Sequence, residues 1–194
     1  MSNNLSILAF SGSTRNESYN HKLVEIAAHG AKTVGVNFQL IRLSDYPMPL
    51  YDGDLEERSG IPDEVKALKK IMFSSQGFLI ASPEYNSSIS GVLKNTIDWL
   101  SRKEDGEAPL QCFKGKVISL MSASPGALGG LRGLAHVRAI FGNVGSIVLP
   151  DQVAVPTAHQ AFDETGRLKD GEVQKRVEAL GANVAEMLIK LNAS

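Results

Sequence analysis

Five short apolar or alternating runs, most of them stopped by serine or proline, alternate along the chain with longer stretches whose apolar positions recur every three or four residues. The first run, Leu5-Ser6-Ile7-Leu8-Ala9-Phe10, breaks at Ser11-Gly12-Ser13-Thr14, as a buried strand feeding a loop does. From Asn20 to about Thr33 the residues Leu23, Val24, Ile26, Ala27 and Ala31 recur at helical spacing, with Asn20 placed as the cap. Val36 to Ile41 alternates apolar and polar, which predicts an edge or near-edge strand. Leu43 to Ile61 carries Pro47, Pro49, Gly53, Gly60 and several acids, and is expected to be a long surface loop. Pro62 opens a helix from Asp63 to about Ser74, at a position where its missing N–H costs least. Gly77 to Ala81 predicts a third strand, Gly91 to about Arg102 a helix, Lys116 to Met121 a fourth strand, Leu131 to about Phe141 a helix, and Ser146 to Leu149 a fifth strand. An irregular stretch is expected from Pro150 through Thr157, and then an amphipathic helix from about Gly171 to Leu191.

Strands alternating with helices in this way imply an α/β sandwich of three layers. Its parallel sheet is covered on both faces, the crossovers are right-handed and the strand order is 2-1-3-4-5. The 194 residues suffice for one domain over residues 1–194, and 43% hydrophobic with 21% charged residues is the balance of a soluble globular chain. A formal net charge of -1, from 20 basic and 21 acidic residues, offers no field for a nucleic-acid backbone or an anionic membrane, which leaves a small molecule as the expected partner. Cys112 stands alone, so an intrachain disulfide is impossible, and it reads as a small half-buried residue. The stretch Met1 to Ser6 lacks the basic segment and long apolar run of a secretory signal, and no apolar stretch has bilayer-spanning length; a cytoplasmic location is expected.

In a doubly wound sheet the loops after strands one, three and four emerge on one edge, around the point where the strand order reverses. The first of these, Ser11 to Asn20, holds four hydroxyl residues, a glycine and Arg15 directly before a helix. Hydroxyl donors, backbone N–H groups and the helix N-terminus suit a phosphate, and the same residues also suit a solvated, capped turn. The second, Pro83 to Ser90, sets Tyr85 beside Asn86 on a backbone stiffened by Pro83. That arrangement suits the edge of an aromatic heterocycle, or equally a rim tyrosine over a helix cap. Glu84 reads as a surface carboxylate. The third, Ser122 to Arg132, is rich in small residues that let a ring approach the backbone, with Ser124 as the direct contact, unless it is only a flexible connector. The dinucleotide fingerprint, the P-loop and the nucleophile elbow are all absent, and His21, His29, His136 and His159 are scattered without metal-ligand spacing. No metal is therefore expected.

Two motifs, Gly12-Ser13-x-Arg15-x-x-Ser18-x-Asn20 and Pro83-Glu84-Tyr85-Asn86-x-Ser88-x-x-Gly91-x-Leu93-Lys94-Asn95-x-x-Asp98-Trp99, resemble those of the NADPH-dependent FMN reductase family. This is a flavodoxin-like family that includes quinone, chromate and azo-dye reductases. With Ser124-x-Gly126 and Gly129-Gly130 the resemblance spans about Ile7 to Leu149. It implies that Ser11, Ser13, Arg15, Ser18 and Asn20 hold the FMN phosphate. It also implies that Pro83, Glu84, Tyr85 and Asn86 line the isoalloxazine ring, largely through backbone groups, and that Ser124 touches its other side. The family usually has proline where this chain has Ser90, which implies a less rigid loop. The activity so implied is transfer of hydride from NADPH, or less favourably NADH, through FMN to a quinone, flavin or similar acceptor, with no catalytic side chain. The alternative is a flavodoxin-like electron carrier or flavin-binding module, although such carriers are typically more acidic than this chain. A homodimer or homotetramer is also implied, with Trp99 and the Leu43 to Gly60 loop as candidate interface parts.

Overall fold

The predicted strands come together as one five-stranded parallel sheet in the computed structural model, which describes residues 5–193. Residues 1–4, the start of the stretch read for a secretory signal, and residue 194 lie outside the described residues. In chain order the elements are β1 (Ser6–Ser11), α1 (Tyr19–Thr33), β2 (Asn37–Arg42), α2 (Gly53–Ser59), α3 (Asp63–Ser74), β3 (Gly77–Ala81), β4 (Glu84–Tyr85), β5 (Ser88–Ile89), α4 (Gly91–Leu100), β6 (Val117–Ala123), α5 (Leu131–Asn143), β7 (Ile147–Val155), α6 (Ala158–Ala161) and α7 (Gly171–Leu191). The sheet runs β2-β1-β3-β6-β7, which is the expected 2-1-3-4-5 once the small β4–β5 hairpin is set aside.

Side chains on a strand alternate between faces, and here both faces are covered, so the central strands are largely apolar on both faces. On β1, Ile7 and Ala9 enter the core shared with α1 and α7, while Leu8 and Phe10 enter the one beneath α3, α4 and α5. On β3 the same division separates Leu79 and Ala81 from Phe78 and Ile80. The α1–α7 crossing is backbone against backbone: a Cβ on Gly30 would fall on the Glu178 carbonyl, and one on Gly181 on the Ala27 carbonyl.

Four expectations about the elements need correction. Ser18, not Asn20, caps α1, its Oγ accepting from the His21 amide at 3.3 Å. The Leu43 to Ile61 segment contains α2, capped by Asp52 and tied to the body by Glu56, which accepts from Tyr51 Oη at 2.9 Å and from Arg102 Nε at 2.8 Å. The third concerns Trp99 as an interface part: of the two places its apolar helix position allowed, core or interface, it takes the core and is fully buried. Its Nε1 donates to the Pro49 carbonyl at 2.8 Å and its ring meets Tyr51 edge-on, so it anchors that segment to α4. Finally, the stretch after Pro150 is strand. Ile118 faces Val148 and Leu120 faces Gln152, so Leu149 to Asp151 bulge out of the ladder. On this edge strand the proline's missing N–H breaks no ladder bond, and Arg138 of α5 donates to the Leu149 and Pro150 carbonyls at 2.9 and 3.1 Å.

Cys112 is fully rather than half buried, and burial pushes its thiol up to about 12. Among the described residues no helix is long and apolar enough to cross a membrane.

Candidate functional site

The loops that follow β1, β3 and β6 meet at the carboxyl edge of the sheet, where the strand order reverses between β1 and β3. Bonds between neighbouring strand ends knit them together. The Gly12 amide donates to the Ala81 carbonyl at 2.9 Å, the Ser82 amide to the Met121 carbonyl at 2.8 Å, and Ser122 Oγ to the Ser82 carbonyl at 2.7 Å. Glycine is required where the loops press on each other. A Cβ on Gly12 would lie 2.8 Å from Leu93 Cβ, and Gly130, at φ +91°, leaves no room for one beside Ser122.

A cleft of about 160 Å³ opens between these loops, lined by Ser13, Arg15, Ser18, Tyr19, Asn20, Pro83, Glu84, Tyr85, Ala123, Ser124 and Pro125. Eight of the ten expected residues are thus brought together. Ser11 is not among them: it closes β1, is 1% exposed and lies behind the wall. Asn86 is also outside, at the exposed tip of the β4–β5 hairpin. Tyr19, Ala123 and Pro125 line the cleft without having been singled out; each neighbours a residue that was, and that adjacency was the available signal. A larger hollow of about 320 Å³, between α1 and the start of α7, receives none of the three loops.

At one end of the cleft the first turn of α1 presents amides that have no acceptor within the helix, beside the hydroxyls of Ser13 and Ser18. Arg15 is exposed and has no ion-pair partner among the described residues. This end offers donors and positive charge and suits a phosphate.

The other end is the hairpin, turned at Asn86 and Ser87, both at positive φ (51° and 64°). Two such residues make the tight turn whose twist matches its strands, and neither is glycine, so the turn is held from outside. Arg132 Nη1 donates to Ser87 Oγ at 2.9 Å and His136 Nδ1 lies 3.0 Å from Ser88 Oγ. Glu84 corrects the surface-carboxylate expectation: its side chain is only 13% exposed and accepts from the Gly133 amide at 2.8 Å. Gly130 caps α5 without a side chain, so Glu84 fills that role from another element and neutralises the helix N-terminus. Pro83, Glu84 and the half-exposed Tyr85 line this end of the cleft, with the Glu84 carboxylate held on the start of α5. Peptide edges and an aromatic face fit a flat heterocycle.

Ser90 reverses another expectation. Its Oγ donates to the Gly12 carbonyl at 2.6 Å and accepts from the Leu93 amide at 3.1 Å, capping α4 and bolting the second loop to the first. A proline there has no such hydroxyl.

The chain's relatives point the same way. The model of the NADPH-dependent FMN reductase family matches residues 5–160. An NAD(P)H-dependent FMN reductase of Pseudomonas aeruginosa is 36% identical over 186 residues, which cover 93% of this chain and 95% of that one. A quinone reductase of Escherichia coli is 32% identical over 172 residues, 88% of each. Among solved structures, the flavoenzyme NAD(P)H:(acceptor) oxidoreductase FerB of Paracoccus denitrificans superposes with a TM-score of 0.78 at 26% identity, covering 96% of this chain and 98% of that one. A family match over residues 5–160, a range that includes the loops that build the cleft, places this protein in the NADPH-dependent FMN reductase family.

Proposed function

We propose that this chain is an NAD(P)H-dependent FMN reductase of the quinone-reducing kind, which takes NADPH in preference to NADH and delivers the electrons to a quinone, a flavin or a similar small acceptor. The observation that carries this is the meeting of a phosphate-suited helix start and a peptide-edged aromatic shelf in one cleft, in a chain of this family. When bound, FMN supplies the hydride-accepting and electron-donating chemistry. The protein binds and orients. Ser13, Arg15 and Ser18 take the phosphate; the backbone of Pro83 to Tyr85 takes one edge of the ring; Ser124 takes its other side. No side chain acts as nucleophile or general base. At about 160 Å³ the cleft is smaller than enclosed ligand pockets, on the order of 300–1,000 Å³, so a ring seated in it would keep one side uncovered. Nicotinamide and acceptor share that side and occupy it in turn.

The chain works as one domain, located in the cytoplasm, and assembles as a homodimer or homotetramer. Its partners are small molecules rather than nucleic acid or membrane.

The test is NADPH oxidation by the purified protein with added FMN and benzoquinone. Turnover that requires both, with parallel double-reciprocal lines as the two substrates are varied, is the expected result. FMN binding without NADPH oxidation would instead make the protein an electron carrier or binding module.

A further inference from the structure

Asn20 belongs to the phosphate motif, yet its side chain is engaged elsewhere. Oδ1 accepts from the Ala123 amide at 2.9 Å and Nδ2 donates to the Ala123 carbonyl at 2.8 Å, with the residue 5% exposed. The reason lies in the sheet. The β3 ladder on β6 ends at Ala81 facing Met121, so the Ala123 peptide groups project past the end of β3 with no strand to receive them. The Asn20 amide takes the place of that strand, matching one donor and one acceptor as a neighbouring peptide does. Ser124 follows immediately, held from the opposite side by its amide on the Val155 carbonyl at 3.1 Å and its carbonyl on the Ala158 amide at 3.0 Å. Turning Nδ2 toward a phosphate would strip a buried carbonyl of its donor, an unfavourable exchange.

We infer that the Asn20 side chain is a positioning group for the ring half of the site, registering the Ser124 loop against the start of α1, and does not itself bind phosphate. The inference rests on the flavin reading of the cleft. It separates Asn20 from Arg15, although both stand in one motif.

Riboflavin, which has the ring without the phosphate, distinguishes the two roles. Dissociation constants for FMN and riboflavin are measured by flavin fluorescence on the wild type, Asn20→Ala and Arg15→Ala. Asn20→Ala is expected to weaken both flavins by the same factor, about tenfold for a lost buried pair, leaving their ratio unchanged. Arg15→Ala is expected to weaken FMN alone. A loss confined to FMN in Asn20→Ala, or no loss of either flavin, overturns the inference.

Asn20→Asp provides a second readout, and serves where the alanine variant fails to fold. Ionised, the new carboxylate repels the Ala123 carbonyl; protonated, it accepts and donates as the amide does. Its riboflavin affinity is expected to recover as pH is lowered from about 7.5 to about 5, in the range of a carboxyl raised by burial, while the wild type stays flat. An Asn20→Asp affinity as flat as that of the wild type contradicts the inference. A wild type that binds neither flavin refutes the functional reading itself, whereas a wild type that binds both leaves only the Asn20 ratio and pH profile to decide.

Discussion

Ser90 shows how one hydroxyl outweighs a stiffer backbone. Its backbone lies at φ -68° and ψ 149°, which proline adopts without strain, so Ser90→Pro should gain roughly 0.4–1 kcal/mol from a restricted unfolded chain. It loses a helix cap and a buried bond to the Gly12 carbonyl, together roughly 1.5–3 kcal/mol. The expected outcome is a net loss of about 1–2 kcal/mol in urea unfolding, opposite to the loosening that the family comparison implied for serine. His21 sets a pH dependence. Burial first, and then the charge of Arg42, hold its imidazole below the ordinary value. The unfolded chain therefore takes up a proton near pH 6.5 that the folded chain resists, so this contribution is full above about 6.5 and is lost as pH falls through it. The thermal midpoint should drop between pH 7.5 and 5.5, and drop less in His21→Gln, by about the share that one histidine carries. At this scale the sequence pointed to Ser13, Arg15, Ser18, Tyr85 and Ser124, which line the cleft, because strand ends carry loops, and loops carry donors. Glu84 was misread because its partner, the Gly133 amide, lies 49 residues away. Asn20 was misread because an asparagine near a helix start has the chemistry of a cap, and Ser18 had already filled that place.

Among the elements, those with a regular apolar period were legible. β1 and β3 carry continuous apolar runs, β6 is apolar apart from the buried Ser119 and Ser122, and α7 repeats Val177, Leu180, Val184 and Leu188 on its buried side. α2 carries no buried residue and so leaves no apolar period to detect. β7 continues past Pro150 only because a bulge and Arg138 supply what the ladder lacks. The β4–β5 hairpin is two residues on each side, held by α5 rather than by its own pattern. The α1–α7 crossing makes the firmest prediction at this scale. Gly181→Ala places a methyl on the Ala27 carbonyl, and backbone there cannot give way as a flexible side chain does. A loss of about 3 kcal/mol is expected from chemical unfolding. Gly142→Ala, in open space on α5, should gain or lose less than about 1 kcal/mol.

For the molecule as a whole, near-neutral charge and a sheet covered on both faces leave the carboxyl edge as the place where chemistry-bearing loops converge. Fold and cofactor class were legible because alternating strands and helices dictate where loops gather, and two of those loops carry family motifs, the second of them long and specific. The size of the cleft was not legible, since its volume depends on how side chains from three loops far apart in the chain are placed against one another. Ligand binding links this scale to stability: FMN at a hundredfold excess over its dissociation constant should stabilise the folded chain by about 2.7 kcal/mol. The most direct test of the account is therefore titration of FMN-free protein with FMN, followed by flavin absorbance and by thermal unfolding of the same samples. The account requires a saturable spectral change at one FMN per chain, a raised thermal midpoint, and weakening of both by Arg15→Ala. A spectrum that stays that of free FMN, with an unmoved midpoint, would contradict it.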